Sequence, residues 1–368
     1  MKTGLFTSES VTEGHPDKVC DTIADAILDA SLRRDPHARV ACEVLCKDQH
    51  VILAGEIGSH EGPLSEDELD RIVRECVRSI GYVDPAERFH ADGLRIQNLL
   101  GAQSCQIARA VVEGNELGAG DQGLMFGYAS TETAEAMPLP ITLAHRLSRQ
   151  LAQDRKTGRI PWARPDAKTQ VTVAYENGEP KEVKAVVVST QHALNTDQST
   201  ILNYVRAVLI PDCLLQWAHD DITLHVNPSG SFTIGGPEGD CGVTGRKIIV
   251  DSYGGFARHG GGAFSGKDGT KVDRSGAYFA RHAAKQVVKE GLASRCEVQV
   301  AYAIGVARPV SISVDTQGTG DEALAARFLR GFDFRPEAIL ESLNLRQPIF
   351  GQTTNYGHFG KTGLPWEA

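Results

Sequence analysis

This sequence contains few of the features that mark membrane-spanning or disulfide-bonded proteins. No stretch approaches the roughly 18 apolar residues of a membrane-spanning helix, and the first ten residues lack the apolar segment of a secretory signal. We therefore expect a cytoplasmic protein without membrane partners. Eight cysteines in 368 residues, with no Cys-x-x-Cys pair, do not predict a disulfide scaffold. Cys42 and Cys46 are the nearest pair, and two buried strand thiols explain their spacing better than a zinc site.

Positive charge is also in short supply. The chain has 38 lysines and arginines against 47 aspartates and glutamates, a net charge of −9 at pH 7, which argues against a nucleic-acid partner that needs a cationic surface. Apolar residues make up 41% and charged residues 23%, the values of an ordinary globular protein. The length predicts two or three domains, at about 150 residues each. Glycine is unusually frequent, with 38 copies.

A repeated order of helix, hairpin and helix runs along the chain. Apolar positions on one face predict a helix over 16–34, followed by strands over 40–45 and 51–57. Ser65 and Glu68 form a capping box for the next helix, which Gly81 is placed to end. The same order returns twice, with a helix at 138–153, strands at 170–175 and 183–189 and a helix at 196–209, then a helix at 273–292, strands at 297–303 and 311–315 and a helix at 321–332.

The predicted hairpins start at residues 40, 170 and 297, so their starts are separated by 130 and 127 residues. Three copies of one α+β unit explain this spacing economically. The alternative is that helices and hairpins simply alternate, because no sequence identity between the copies is evident. Antiparallel hairpins with helices on one face leave the other sheet face to be covered, so we expect three similar domains whose sheets bury one another.

Glycine concentrates in residues 235–269, where 12 of 35 residues are glycine. Backbone without side chains can approach a ligand closely, and consecutive amides form anion-binding nests. The helix predicted from Asp273 adds amide donors at its N-terminus. A cationic, glycine-lined segment predicts a phosphate site, with a flexible linker as the alternative. Six cations lie within or just after this segment: Arg246, Lys247, Arg258, Lys267, Lys271 and Arg274.

Two nucleotide-binding fingerprints match only in part. Residues 261–267 have the spacing of a Walker A loop, but Asp268 stands where Ser or Thr should hold magnesium, and no strand directly precedes the loop. Residues 118–123 fit the dinucleotide fingerprint, yet residues 124–129 have the pattern of a strand and not of the required helix. The sequence therefore predicts a different kind of phosphate cradle and no Rossmann domain.

Charged residues near the N-terminus offer further candidates. His15 lies at the start of the first predicted helix and can donate to a phosphate oxygen there. Asp17 can bind magnesium, which takes few carboxylates and shares its shell with phosphates; a partner for the helix dipole is the other interpretation. Glu43 and Glu56 lie in apolar strands, where each needs a nearby cation if it is buried. Alternatively, both face solvent.

Other reaction types find little support. Asp166 and Lys168 lie in a predicted loop before the second hairpin. This loop could equally be a binding segment or an ordinary solvent-exposed loop. The sequence has no serine elbow, no His-Glu-x-x-His motif and no Cys–His arrangement, so hydrolysis through a protein nucleophile has no candidate.

Four segments carry most of these candidates: Gly14-His-Pro-Asp-Lys18, Gly118-Ala-Gly-Asp-Gln-Gly123, Gly235-Gly-Pro-Glu-Gly-Asp-Cys-Gly242 and His259-Gly-Gly-Gly-Ala-Phe-Ser-Gly-Lys-Asp268. Together they closely resemble the S-adenosylmethionine synthetase family, and the likeness extends from Phe6 to Gly360. The resemblance implies three domains related by pseudo-threefold symmetry, at 1–101, 114–232 and 233–368, with an active-site lid at 102–113. It also implies homodimers with active sites between the subunits, paired into a homotetramer.

The resemblance implies a transferase that joins ATP and L-methionine. The thioether sulfur displaces the whole triphosphate from the ribose 5′ carbon, and the triphosphate is then hydrolysed to pyrophosphate and phosphate. A thioether has no proton to lose, so the first step needs no general base. It needs cations and amide donors where charge grows on the leaving triphosphate. Magnesium, with two ions per site, and potassium are the implied cofactors.

The resemblance also implies a role for each matching residue. The implied catalytic residues are His15, Lys168, Lys247 and Lys267. The implied ATP contacts are His15, Asp166, Lys168, Phe232, Asp240, Arg246, Lys247, Ala263 and Lys267. The implied methionine contacts are Glu56, Gln103, Asp121, Asp240 and Lys271. The implied metal ligands are Asp17 and Asp273 for magnesium and Glu43 for potassium.

Three features depart from the family pattern. Ser231 stands where the family usually has arginine, which predicts the loss of one ATP contact beside Phe232. The lid after Gln103 lacks the usual Pro-Asp pair, and the chain ends soon after Leu364, where many relatives continue. Two other functions stay open at this stage: another ATP enzyme, such as a triphosphatase or kinase, and a regulatory nucleotide-binding protein without catalysis.

Overall fold

The computed structural model describes residues 3–102, 112–113 and 116–368, and its fold is α+β, as predicted. The strands, in chain order, are β1 Gly4–Val11, β2 Arg39–Lys47, β3 His50–Gly58, β4 Arg95–Ala102, β5 Val112–Glu113, β6 Glu116–Leu117, β7 Gly123–Ser130, β8 Ala163–Glu176, β9 Glu179–His192, β10 Thr223–Val226, β11 Gly242–Val243, β12 Arg295–Tyr302 and β13 Ser311–Asp315. The helices are α1 Pro16–Arg34, α2 Glu66–Ile80, α3 Leu139–Lys156, α4 Gln198–Tyr204, α5 Ile210–Leu214, α6 Gly236–Gly239, α7 Ile248–Asp251, α8 Val272–Lys289, α9 Glu322–Leu329 and α10 Pro336–Ser342.

Three sheets follow the same plan. Each contains a hairpin and an antiparallel edge strand from another part of the chain: β11 joins β2 and β3, β1 joins β8 and β9, and β7 joins β12 and β13. The first two sheets add a fourth, parallel strand, β4 and β10 respectively. One long helix packs on each sheet: α1 on β2, α3 on β8 and α8 on β12. The prediction of three similar α+β units is therefore confirmed.

The edge strands are exchanged in a cycle. The N-terminal third of the chain supplies β1 to the central sheet, the central third supplies β7 to the C-terminal sheet, and the C-terminal third supplies β11 to the N-terminal sheet. Domain boundaries placed after residue 113 and after residue 232 therefore assign strands of one sheet to different domains. The exchange brings residues that are distant in sequence to the surface of a single unit.

The first helices follow their sequence signals. α1 begins at Pro16, and His15 occupies its N-cap. The capping box of Ser65 and Glu68 is present at α2, and Gly81 ends that helix with φ at +112°, in the left-handed region that favours glycine. No helix within the described ranges is both long and apolar enough to cross a membrane.

The central hairpin is longer than predicted. β8 begins at Ala163 and β9 ends at His192, whereas the sequence pattern predicts strands only over 170–175 and 183–189. Asp166 and Lys168 therefore lie on a strand, where Val11 of β1 pairs opposite Lys168, and the prediction of a loop there is wrong. The pattern fails at this point because the register shifts between Ala163 and Ala167, which interrupts the alternation of side chains.

Candidate active site

His15 is placed by strand pairing and by a close backbone approach. The Thr12 amide donates to the Ala167 carbonyl at 2.9 Å, and the Thr12 hydroxyl accepts from the Ala167 amide at 2.8 Å. A Cβ on Gly14 would lie 2.3 Å from the Pro165 carbonyl oxygen, so this approach requires glycine. Together these contacts hold the start of α1 against the start of β8.

His15 is buried, and its side chain is neutral at pH 7. Burial lowers the pKa of His15 to about 3; the ammonium groups of Lys247 and Lys168 also lower it, and the Asp17 carboxylate opposes them. His15 Nδ1 accepts from the Asp17 amide at 3.2 Å, which caps α1. Since Nδ1 accepts, the proton of the neutral ring lies on Nε2. The imidazole therefore offers one N–H donor.

Asp17 is buried and bound to a lysine. Its Oδ2 lies 2.6 Å from Lys247 Nζ, and its Oδ1 accepts from the Val243 amide at 3.1 Å. Burial alone would raise the pKa of Asp17, but the hydrogen bonds from Lys247 and Val243 keep it below its usual value. Arg246 Nε lies 3.5 Å from Asp17 Oδ1. The ionised carboxylate thus gathers Arg246 and Lys247 beside the start of α1.

A cavity of about 270 Å³ opens beside His15. Lys168, Phe232 and Asp240 contribute to its wall. His192 fixes the Phe232 backbone on both sides, because the Phe232 amide donates to His192 Nε2 at 3.0 Å and the Phe232 carbonyl accepts from the His192 amide at 2.9 Å. The cavity therefore combines an aromatic ring, held in place, with groups of both charges.

Asp166 lines the same cavity and is buried. It accepts a 2.8 Å hydrogen bond from the Gly236 amide. Gly236 has φ at +59°, and a Cβ there would lie 2.1 Å from the Tyr82 hydroxyl oxygen, which donates to the Gly14 carbonyl at 2.5 Å. Burial raises the pKa of Asp166 to about 6, although the Gly236 amide and the Lys168 ammonium group oppose the rise.

The raised pKa of Asp166 predicts a pH-dependent difference in stability between the protein and an Asp166→Asn variant. The ordinary pKa of aspartate is 3.8, so between about pH 4 and 6 the folded protein holds a proton that the unfolded chain has lost. The wild type therefore loses stability relative to the variant as the pH rises through this window, by up to about 3 kcal/mol. Asparagine keeps an oxygen for the Gly236 amide but carries no charge.

Denaturant unfolding of both proteins from about pH 4 to pH 7 measures this difference. A difference in unfolding free energy that stays constant across the range would contradict the raised pKa of Asp166.

The second group of predicted residues belongs to the glycine-rich loop 259–269. Gly266 has φ at +79°, and a Cβ there would lie 2.0 Å from the Cys42 carbonyl oxygen, so the loop lies directly on β2. Lys267 Nζ lies 2.7 Å from Asp273 Oδ2, in the first turn of α8. A Cβ on Gly262 would lie 2.2 Å from Asp273 Oδ1. The loop therefore packs closely around a second lysine–carboxylate pair.

The lysines of the two lysine–carboxylate pairs belong to loops that touch. A Cβ on Gly245 would lie 2.4 Å from the Ala263 Cβ, so the loop of Lys247 meets the loop of Lys267 at this point. Among the residues that the structure describes, no hydrogen bond or ion pair joins His15 to Lys267 within one chain.

The predicted methionine contacts are more open to solvent. Glu56, Asp121 and Asp240 are exposed. Lys271 Nζ lies 3.5 Å from Asp268 Oδ2, at the base of the glycine-rich loop.

The remaining predictions concern a cation site and the lid. Glu43 is exposed on β2, as is Glu56 on β3, so both side chains reach solvent in the single chain. Gln103 and residues 104–111 of the predicted lid lie outside the described residues.

Two of the six cations in the glycine-rich segment are engaged elsewhere, which corrects the sequence interpretation. Arg274 is fully buried, and its Nη1 lies 2.7 Å from Asp25 Oδ1. Arg258 lies 2.6 Å from Glu297 and 3.2 Å from Asp315. The cations that remain near the two loops are Arg246, Lys247, Lys267 and Lys271.

Sequence reasoning missed a row of buried aspartates on α1. Asp17, Asp21, Asp25 and Asp29 recur at every fourth residue and are all buried. Residues four apart share a helix face, so the spacing itself was the available signal. Each carboxylate accepts a backbone N–H from a segment far away in the sequence: strand β11 for Asp17 and loops for the other three.

The site suits a strongly anionic ligand accompanied by cations. Within the described ranges, no three His, Cys, Asp or Glu side chains gather to hold a metal ion. Asp17 and Asp273 each present one carboxylate, and each carboxylate is paired with a lysine. A polyphosphate can bind the ammonium groups of both lysines through its oxygens. The carboxylates of Asp17 and Asp273 are then free to bind metal ions that also bind phosphate oxygens.

Family sequence models match nearly the whole chain. The N-terminal domain of S-adenosylmethionine synthetase matches residues 3–105, its central domain residues 116–232 and its C-terminal domain residues 234–368. An S-adenosylmethionine synthase of Sorangium cellulosum (strain So ce56) is 53% identical over 375 aligned residues, which cover 100% of this chain and 88% of the relative. The chain belongs to the S-adenosylmethionine synthetase family.

Proposed function

We propose that this chain synthesises S-adenosylmethionine from ATP and L-methionine. The observation that carries the proposal is the presence of two lysine–carboxylate pairs, Asp17 with Lys247 and Asp273 with Lys267, whose lysines belong to loops that touch. In the reaction, the thioether sulfur attacks the ribose 5′ carbon, and the bond to the triphosphate oxygen breaks. Sulfur has no proton to lose, so the chain supplies no base. It supplies positive charge and N–H donors where the triphosphate becomes more anionic.

The leaving triphosphate is bound by groups from both loops. The Nε2–H of His15 donates to the departing oxygen. Lys168 and Lys247, which lie near His15, bind phosphate oxygens. Arg246 lies beside Lys247, and Lys267 contributes a further ammonium group from the glycine-rich loop. These groups hold the triphosphate while water cleaves one of its P–O–P bonds to give pyrophosphate and phosphate. In this second step the negative charge grows on the bridging oxygen of that bond, and the same cations and N–H donors stabilise it.

The nucleoside occupies the cavity beside His15. Adenine stacks on the ring of Phe232, whose backbone is fixed by His192. Asp166 and Asp240 offer carboxylate acceptors on the wall of the cavity, and Ala263 provides a small contact surface next to Gly245. Ser231 is exposed and too short to replace an arginine contact to the phosphates, so binding of ATP relies on the remaining cations.

Methionine is recognised through its charged ends. The carboxylates of Glu56, Asp121 and Asp240 suit its ammonium group, and the ammonium group of Lys271 suits its carboxylate. Gln103 completes the set of proposed methionine contacts.

Membership of the family implies dependence on a divalent metal ion, which we propose is magnesium, with two ions per site. The residues present fit this ion, because magnesium uses one or two carboxylates and completes its shell with water and phosphate oxygens. Asp17 and Asp273 would each hold one ion, and bound magnesium neutralises charge on the triphosphate. Glu43, exposed on β2, is the proposed ligand for potassium.

We further propose a cytoplasmic homodimer that pairs into a homotetramer, with active sites between subunits. Apolar side chains are exposed on strands of two sheets: Leu99 on β4 is 56% exposed and Leu124 on β7 is 43% exposed. Large exposed apolar side chains of this kind favour burial against another copy of the chain.

Incubation with ATP, methionine, Mg²⁺ and K⁺, followed by mass spectrometry, tests the proposed activity. We expect S-adenosylmethionine, pyrophosphate and phosphate, with no S-adenosylmethionine when methionine or the divalent metal is omitted. Phosphate release that is independent of methionine would indicate a triphosphatase instead. Binding of ATP without any product would indicate a regulatory protein.

A further inference from the structure

The buried aspartates of α1 anchor three separate segments of the chain: β11 with the loop that follows it, the glycine-rich loop, and the loop at residues 350–351. Asp17 accepts from the Val243 amide at 3.1 Å, and Asp21 accepts from the Gly245 amide at 2.9 Å. On the next two turns of the helix, Asp25 accepts from the Gly266 amide at 2.9 Å, and Asp29 accepts from the amides of Phe350 and Gly351 at 3.0 and 2.8 Å. One rigid helix therefore sets the spacing between the loop of Lys247 and the loop of Lys267.

Asp25 differs from the other three because it also forms a fully buried pair with an arginine. Arg274 Nη1 and Nη2 lie 2.7 and 3.1 Å from the two oxygens of Asp25. Thr354 donates its hydroxyl to Asp25 at 2.7 Å, and Arg274 donates to the Thr353 hydroxyl at 3.0 Å. The Arg274 guanidinium also lies 4.3 Å from the centre of the Phe350 ring. The pair is thus fixed on every side and has one geometry.

Both members of the pair hold the glycine-rich loop next to Lys267. Asp25 binds the amide of Gly266, and Arg274 Nη1 also donates to the Lys267 carbonyl at 3.2 Å. Arg274 directly follows Asp273, the partner of the Lys267 ammonium group. The loop is also anchored by the buried side chain of Phe264 and by the Gly266 carbonyl, which accepts from the Cys42 amide at 2.9 Å. Asp25 and Arg274 add the contacts that fix the Gly266 amide and the Lys267 carbonyl, on either side of the peptide bond that leads to Lys267.

We propose that Asp25 and Arg274 are positioning residues that hold Lys267 and Asp273 in the geometry needed to stabilise the leaving triphosphate. Neither side chain is placed to touch the substrate, because both are fully buried within one chain. The effect of this pair on catalysis rests on the proposed function. The order that the pair imposes on the loop is a separate property that can be measured without substrate.

The test compares this pair with another buried ion pair, which is formed by a second arginine of α8. The variants are Asp25→Asn, which removes the charge, and Arg274→Lys, which cannot keep the bidentate contact and the bond to the Lys267 carbonyl together. Arg281→Lys is the matched control. Arg281 is also fully buried on α8, and its Nε and Nη2 lie 3.0 and 2.8 Å from the two oxygens of Glu367. Its Nη1 and Nη2 also donate to the carbonyls of residues 128, 135 and 136, which lie outside the glycine-rich loop.

Three measurements separate positioning from stability: kcat with KM for ATP, melting temperature, and hydrogen exchange of residues 259–267 in the ligand-free protein. We expect all variants to melt at lower temperature. Assayed well below melting, Asp25→Asn and Arg274→Lys should lower kcat about 10- to 100-fold with a smaller change in KM, and should speed amide exchange in the loop severalfold. Arg281→Lys should leave kcat within about twofold and loop exchange unchanged.

The outcomes distinguish this role from the proposed function. If the wild type makes no S-adenosylmethionine, the proposed function fails, and the hydrogen-exchange comparison alone decides whether the pair orders the loop. Equal loop exchange in Asp25→Asn and Arg281→Lys overturns the inference. So does a kcat that falls only in proportion to the fraction of unfolded protein.

Discussion

Replacing Lys267 with alanine will lower kcat for S-adenosylmethionine formation by about 100- to 1,000-fold, the usual effect of removing one donor to a developing negative charge. Lys267 is placed by the backbone of the glycine-rich loop, and its ammonium group lies 2.7 Å from Asp273 Oδ2. Without the lysine, the triphosphate loses a cation at the loop. Steady-state kinetics with ATP and methionine measure the fall in kcat.

The structural effect of this substitution should be small. The Lys267 and Asp273 side chains are 21% and 28% exposed, and ion pairs at such partly solvated positions contribute little to stability. Lys184→Ala is a suitable control, because it removes a lysine at 2.5 Å from Glu182 on the outer surface of β9. We expect that variant to keep its full kcat. If Lys267→Ala instead melts far below Lys184→Ala and loses kcat only near melting, Lys267 is a structural residue.

The parts of the fold that depend on local sequence could be predicted. α1 begins at Pro16 and ends at Arg34, because proline suits the first helical position and apolar side chains recur on one face. The Ser65 capping box and Gly81 each act on the few residues at their own end of α2, and both are present. Signals of this range do not depend on the rest of the chain.

The cyclic exchange of edge strands could not be predicted in the same way. β11 is two residues long and pairs with β2, about 200 residues earlier in the chain. No local pattern in Gly242 or Val243 specifies that partner. The contact arises because Asp17 and Asp21 on α1 bind the amides of Val243 and Gly245, which brings the strand to the edge of the sheet.

The candidate site could be predicted as a set of residues but not as an arrangement. The motifs identify Lys247 and Lys267, yet they cannot show that each lysine is paired with a carboxylate from elsewhere in the fold. They also suggest that Arg274 belongs to the cradle, whereas the structure buries it against Asp25. The aspartates at every fourth position of α1 were the available signal that cations from elsewhere in the chain pair with this helix, because a carboxylate buried on a helix needs a donor or cation. They do not show which of those cations belong to the site, since Asp17 pairs with Lys247 and Asp25 with Arg274.

Replacing His15 will separate its two roles, which belong to different nitrogen atoms. Nδ1 accepts from the Asp17 amide at 3.2 Å and caps α1, whereas Nε2 carries the proton that we assign to the departing oxygen. Alanine removes both nitrogen atoms and should lower kcat about 100- to 1,000-fold. Loss of the cap should also lower the free energy of unfolding by about 1 kcal/mol. Asparagine can keep the cap, because its oxygen reaches the same amide, but it is too short to replace Nε2. Glutamine reaches further and carries an N–H donor near the position of Nε2.

We therefore expect opposite rankings for activity and stability. His15→Asn should melt close to the wild type and have a kcat near that of His15→Ala, whereas His15→Gln should retain more of the wild-type kcat despite a weaker cap. Kinetics and thermal unfolding of the three variants measure both rankings. Because all three side chains are uncharged, as His15 is at pH 7 with its pKa lowered to about 3 by burial, the comparison changes hydrogen bonding and not charge. A His15→Asn variant as active as the wild type would show that capping α1 is the whole contribution of this residue.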